Sequence, residues 1–410
     1  MLVRLTDMTQ ELPVEVEAFV LGLLKVWDGH SHLEELLSLV AMLRPCPFDA
    51  LYEGVLAPLN HLFQAAPAPT KAAIGLCLTS LLRNWCRLDW KRHFSSDAEA
   101  DRRGLGEGQA DRGSQGPFLF GTLQGGVDHF RTIFEFITFV DQMMVASLVR
   151  ERDHMLVQTA ALDFFDQVAV LNTAHALPFL VPPSPTLVYR LLLSSNAMAQ
   201  SRGAGLLFAY KAAFERIKRR ASPGRHVPPL NTGSANHDLS ELSFRSGLDR
   251  ISLFNSFVWD FSNTLWRNVP LTHDIPQHPG QARAQSVLFD LPQDLLDQLK
   301  RIPRLQTAFA FSLTGSVAFA SLAAEFLQEK GFPEGTSPRS IKGRLRVEYL
   351  GFLRQRGMSG LEEFLYTFIS SLLERRVAEK EDNTATTSTS DDKDGARTTP
   401  SAGGDMSSRR

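Results

Sequence analysis

The chain has 410 residues, 43% hydrophobic and 21% charged, and a net charge of −2. That length can bury a large core and leaves room for two or three domains, while the near-neutral balance excludes a dedicated polyanion binder and leaves only local basic clusters to touch phosphate. Cys46, Cys77 and Cys86 form no CxxC pair and no closed disulfide framework, which points to reduced intracellular thiols, and Met1–Glu11 lacks the order of a secretion signal.

Helical periodicity begins early. Val16, Phe19, Val20, Leu23, Leu24 and Trp27 follow Pro13 on one face, and Gly29 stops the run. Ser31 and Glu34 have capping-box spacing ahead of Leu33, Leu36, Leu37 and Val40, with Pro45 and Pro47 beyond. Phe48–Ala65 and Pro69–Trp90 are the next predicted helices. Short turns between paired helices favour antiparallel neighbours, so residues 1–94 read as N-terminal helical hairpins. No fixed-period repeat is visible. Residues 95–116 are almost without apolar side chains and read as a flexible linker; Gly104-Leu105-Gly106-Glu107-Gly108 within it lacks the strand and GK[ST] of a phosphate loop.

Residues 117–221 hold helical repeats: Val127–Arg150, Met155–His175, a helix entered by Ser184-Pro185 and running through Leu193, and Met198–Arg220. A loop at 222–238 precedes a C-terminal helical region at 239–380. There Asp238 with Glu241 caps a long helix ending before Pro270, followed by Gln293–Arg301, Leu305–Glu329, Pro338–Arg356 and Ser359–Glu379. Leu305–Ala324 is uncharged and long enough for a bilayer, but its Gln, Thr and Ser are too polar for insertion. Ala308, Ser312, Ser316, Ala320 and Ala324 predict instead a ridge of small residues on a fully buried helix. Residues 381–410, rich in Thr, Ser, Asp and Gly, read as a disordered tail. With no sustained period-two alternation, the fold class is all-α, an irregular α-solenoid of HEAT-like helical repeats.

Catalytic patterns are missing. His30 and His32 diverge on a helix, no HExxH exists, and Gly315-Ser316 lacks the surrounding GxSxG. Glu34 with Glu35 and Glu362 with Glu363 open helices, where the dipole favours negative charge. The expectation is a non-enzyme with no metal, cofactor or small-molecule substrate. Two basic clusters, Lys211 to Arg225 and Arg339 to Arg356, read plainly as solvated helix faces. Their alternative is sequence-independent phosphate contact through Lys218, Arg219, Arg220, Lys342, Arg344 and Arg346.

The most informative helix spans Phe254 to Asn268. Phe254, Phe257, Val258, Phe261 and Leu265 form its apolar stripe, and Asp260, Asn263 and Arg267 form a polar ladder beside it, with Trp259 and Trp266 between. Buried polar groups need partners. Either Asp260 pairs with Arg267 through Asn263 to fix packing, or Trp259 or Trp266 anchors a partner chain.

Asn255, Asp260, Asn263, Trp266 and Arg267 together resemble the centromere protein I (CENP-I) family, as do Tyr189-Arg190-Leu191-Leu192-Leu193-Ser194-Ser195-Asn196-Ala197 with Ser201-Arg202 and Tyr210-Lys211, and Gly351-Phe352-Leu353 with Gly360-Leu361 and Phe364-Leu365. The resemblance covers Thr186 to Leu373; before Glu151 only helicity matches. It implies a non-catalytic inner-kinetochore scaffold in the nucleus, acting at centromeric chromatin in chromosome segregation and centromeric histone deposition. Its implied partners are centromere proteins H, K and M, docked as helices, with no membrane. Family chains are typically longer, and Pro270 departs from the family's pattern. A HEAT-like adaptor in trafficking or transport, and a helical nucleic-acid-binding protein, remain alternatives.

Overall fold

Apolar residues three and four apart build helices throughout, and no strand occurs among the described residues. The computed structural model describes residues 2–87, 129–174, 180–221, 251–269, 297, 301 and 309–374. The expected linker at 95–116, the loop at 222–238, the tail at 381–410, the capping pair Asp238 and Glu241, and nearly all of Gln293–Arg301 lie outside the described residues. The chain divides into two compact units, Met1–Phe364 and Leu365–Arg410. In the second, Ile369 N–H donates to the Leu365 carbonyl at 3.0 Å, continuing as a helical turn.

The first unit opens with α1 (Leu2–Thr9), α2 (Val14–Leu24) and α3 (Leu33–Val40). The expected capping box does not form. Asp28 takes the role with a tight turn: its carboxylate accepts from His30 N–H at 2.9 Å, Ser31 N–H at 2.8 Å and the Ser31 hydroxyl at 2.7 Å. Those three bonds hold the Asp28 carboxyl down at about 2. With Ser31 so engaged, His32 precedes α3 in the left-handed region and gives no side-chain cap. The next helical run, α4 (Phe48–Leu51) to α5 (Ala57–Ala65), passes through a π-helical turn at Tyr52–Leu56.

Three long helices follow: α6 (Ala68–Cys86), α7 (His129–Arg150) and α8 (Met155–Ala174). Trp85, Phe136, Phe164 and Phe165 meet in their core, with Trp85–Phe136 centroids 5.6 Å apart and Phe136–Phe164 edge-on at 6.0 Å. Burying such rings contributes about 1.5–3 kcal/mol each. At Gly75 a Cβ would lie 2.7 Å from Met144 Cε and 3.0 Å from Ala160 Cβ, so a hydrogen there lets α6 close on its neighbours. Lys71, in the first turn of α6, is buried and pairs with Glu151 just past the end of α7. By length and composition α7 is the one described helix able to cross a membrane, yet its Ile133, Phe136, Ile137, Val140 and Met144 are buried inside the fold.

Ser184 caps α9 (Pro185–Leu192) as its Ser-Pro pair predicts, accepting from Leu187 N–H at 3.4 Å. The following α10 (Ala197–Ala221) packs on α8, which also packs on α6. A helix over 251–262, α11, leads into a π turn at Asn263–Arg267.

The buried helix expected at Leu305–Glu329 is a correction. Among the described residues, 309–310 and α12 (Ala320–Glu329) are helical and 311–319 between them is a chain of turns; Leu305–Ala308 lies outside the described residues. Small hydroxyl residues compete with the helix for backbone groups there. The Ser312 hydroxyl donates to the Phe309 carbonyl at 2.8 Å and accepts from Gly315 N–H at 3.1 Å. Ser312 and Ser316 are buried, but Ala320 and Ala324 are exposed, so no four-apart ridge forms. The helix expected from Pro338 also begins later. A 3-10 turn at Pro338–Ser340 and Gly343, at φ +55°, delay α13 to Arg344–Gln355, and α14 (Ser359–Phe368) follows.

Candidate functional site

The stripe on α11 is buried at Phe254, Phe257, Phe261 and Leu265, as its spacing predicts, and half-buried at Val258. Phe254 stacks on Phe214 of α10 at 4.5 Å, Phe257 meets Tyr189 of α9 edge-on at 5.9 Å, and Phe261 meets Phe364 at 5.8 Å. Asn268, in the left-handed region at φ +55°, then closes the helix, and Val269 N–H donates to the Asn263 carbonyl at 3.0 Å. Asparagine tolerates that conformation and is a natural helix stop.

A π turn at a helix end leaves carbonyls without intrahelical donors. The Leu265 carbonyl accepts twice, from Leu313 N–H at 3.0 Å and from Arg346 Nη2 at 2.9 Å. Arg346 also covers Trp266, its guanidinium carbon 4.3 Å from the ring centroid. A cation at a helix C-terminus is favoured by the dipole, and its planar group suits an aromatic face. Burial pulls Arg346 down to about 10, so it remains a cation at neutral pH.

The polar ladder splits in two. Asp260 accepts a hydrogen bond from the Tyr189 hydroxyl, not from Arg267. Burial pushes the Asp260 carboxyl up to about 6 against the opposing pull of that bond. Arg267 donates to Asn263 Oδ1 at 3.3 Å and lies 5.4 Å from the Trp259 ring centroid. Positions seven apart on a helix are separated by about 10 Å of rise, too far for a carboxylate–guanidinium pair through one Asn. The predicted Asp260–Asn263–Arg267 relay is therefore replaced by two local pairs. Asn263 is buried, whereas Asn255 and Arg267 are exposed and Trp259 is 56% exposed. Of the two tryptophans, Trp266 faces a neighbour within the fold and Trp259 faces outward.

Tyr189 had no periodic relation to Asp260 and was missed as its partner; only its place in the second motif hinted at a role. The rest of that motif clamps α9 and α10 onto α8. Arg190 pairs with Asp153 at 3.1 Å, Gln158 donates to Ser194 at 3.0 Å, and Arg202 reaches Asp163 at 2.7 Å and Asp166 at 2.6 Å. In the third motif, a Cβ on Gly360 would stand 2.6 Å from the Ser201 carbonyl and 3.0 Å from Gly205 Cα, so two glycines set the crossing of α10 and α14.

The basic clusters fare differently. Lys218, Arg219 and Arg220 end α10, with their side chains outside the described residues. Lys342 is exposed and Arg344 is 83% exposed, its Nε 3.4 Å from Glu348. Arg354 pairs with Glu362 at 3.3 Å, and Arg356 with Glu325 and with Glu329 at 3.3 Å. Arg346, expected as a phosphate contact, is committed inward to Leu265 and Trp266. No group of three or more His, Cys, Asp or Glu able to hold a metal occurs among the described residues. All three cysteines are free; burial pushes Cys46 to about 11 and Cys77 and Cys86 to about 12, which keeps them protonated.

No family model matches the chain. Curated relatives do: centromere protein I of Gallus gallus is 24% identical over 368 residues, 89% of this chain and 43% of its own length. Centromere protein I of Rattus norvegicus is 24% identical over 385 residues, and that of Mus musculus 22% identical over 385, each covering 94% of this chain. The chain spans less than half the length of these relatives. Because 368 of 410 residues align, similarity extends well ahead of Thr186, where the sequence alone offered only helicity. Along about nine-tenths of its length the chain is thus similar to the centromere protein I of these three species.

Proposed function

We propose that the chain is a non-catalytic α-solenoid scaffold of the inner kinetochore, acting in the nucleus at centromeric chromatin during chromosome segregation. The family likeness supports the setting, and the division of the α11 ladder supports the mechanism. Tyr189 meets Asp260 and Arg346 meets the Leu265 carbonyl, while Arg267 bridges from Asn263 to the exposed Trp259 ring, so Trp259 and Arg267 form the outward-facing pair of this helix. Tryptophan and arginine are enriched among the residues that dominate interface energetics. Helical partners, by resemblance centromere proteins H, K and M, would bury apolar surface against this edge of α11. Support for centromeric histone deposition follows from the same resemblance.

The test is co-purification of the tagged chain from mitotic cells. Wild type should bring down kinetochore subunits, and Trp259→Ala with Arg267→Ala should lose them while keeping the helical circular dichroism spectrum. Recovery of no kinetochore subunit by wild type would refute the setting. Unchanged recovery by the double variant would refute the docking edge. A nucleic-acid reading is not favoured, since Arg346 points inward and Arg344, Arg354 and Arg356 stand beside carboxylates.

A further inference from the structure

We propose that Ser337 is an acceptor site for a proline-directed serine/threonine kinase. Two Ser-Pro pairs lie among the described residues; both serines cap the turn that follows, but they differ in exposure and in partners. Ser184 is half-buried: its hydroxyl donates to Asp141 Oδ1 at 3.2 Å, its own N–H donates to the same atom at 3.3 Å, and it caps α9. A kinase can reach that hydroxyl only by undoing a helix start and stranding Asp141. Ser337 is exposed, and its hydroxyl's single contact is to accept from Arg339 N–H at a long 3.3 Å. Its proton is donated to no described protein atom.

The surrounding backbone also suits a kinase cleft. Ser337 sits at φ −64° and ψ 135°, the extended form that a residue before proline favours and that a substrate threading an active site needs. Gly331 to Gly335 are exposed, and the hydrogen bonds holding the stretch are local turns: Thr336 N–H to Pro333 at 3.1 Å, Ser340 N–H to Ser337 at 2.9 Å and Ile341 N–H to Pro338 at 3.1 Å. Beyond these turns the stretch is held by Arg339, whose guanidinium carbon lies 4.6 Å from the Phe309 ring centroid, and by buried Ile341 at its far end, which leaves Ser337 and the residues before it exposed.

The chemistry is ordinary phosphoryl transfer from ATP. Ser337 Oγ attacks the γ-phosphorus, an Oγ–P bond forms, the bond from that phosphorus to the β–γ bridging oxygen breaks, and ADP leaves. The hydroxyl proton goes to the kinase's catalytic carboxylate. Between Gly331 and Lys342 the chain carries Arg339 and Lys342 against Glu334, and Arg344 beyond them stands beside Glu348. A phosphate of about −1.5 to −2 turns that slight cationic excess negative.

The full-length chain is incubated with a proline-directed kinase and ATP, and phosphate is located by mass spectrometry. Ser337 should be modified at least about tenfold faster than Ser184, and Pro338→Ala should slow Ser337 by a similar factor although the hydroxyl stays exposed. A synthetic peptide of residues 331–343 serves as the reference substrate. Modification of the peptide but not of Ser337 in the folded chain would overturn the proposal, as would modification of neither. Comparable labelling of Ser184 would overturn the accessibility argument on which it rests.

Discussion

Two seams of this molecule solve the same problem in different ways. Where α6 meets α8, regular helices satisfy their own backbone groups, so the buried part of the contact is made of rings, aliphatic chains and one glycine, Gly75, with Arg83 donating to Gln167 at 3.3 Å only on the exposed rim. Where α11 meets 309–319 and α13, both backbones leave regular helix. The freed Leu265 carbonyl must then be met from outside, by Leu313 N–H and Arg346. Regular seams depend on shape; irregular seams depend on named polar side chains.

That contrast breaks or holds under substitution. The largest expected effect is at Gly360, where an added Cβ meets backbone that cannot yield; Gly360→Ala should cost about 3 kcal/mol, read from the urea midpoint. Arg346→Ala removes both the second donor to Leu265 and the cover of Trp266, and should cost about 2 kcal/mol. Arg344→Ala, two residues away but exposed, should change stability by less than about 0.5 kcal/mol, and a larger loss would blur the distinction. Gly75→Ala should cost about 1 kcal/mol, because its nearest obstacle is the mobile end of Met144.

A further effect is electrostatic. Asp260 and Asp141 are both pushed up to about 6, chiefly by burial. Between the ordinary carboxylate value of about 4 and that value, the folded state binds more protons than the unfolded one. Stability should therefore rise as pH falls from 7 toward 5, and Asp260→Asn should flatten part of that slope in a pH series of melts. Asp28 acts oppositely and lower down: its contribution is full above about 4 and fades as pH falls toward 2.

Periodicity was enough for the regular part of the fold. The helices from α2 through α10 lie where apolar spacing, Ser184-Pro185 and Pro69 predict them, because those signals are local. The reading failed where local signals compete. Residues 311–319 look helical by apolarity, yet the Ser312 hydroxyl captures the backbone first. In the candidate site the residues of the ladder were legible but their pairing was not. Asp260 and Arg267 share a helix, so the sequence suggested each other as partners; the true ones, Tyr189 and Trp259 with Asn263, depend on how α9 and the π turn are placed. Arg346 read as a surface cation for the same reason: nothing near it in sequence announces a carbonyl freed 81 residues earlier.

The role at the centromere is tested most directly by imaging a fluorescently tagged full-length chain through mitosis, beside its Trp259→Ala, Arg267→Ala counterpart. Wild type should form paired centromeric foci and the double variant should not. Diffuse signal from wild type would contradict the account.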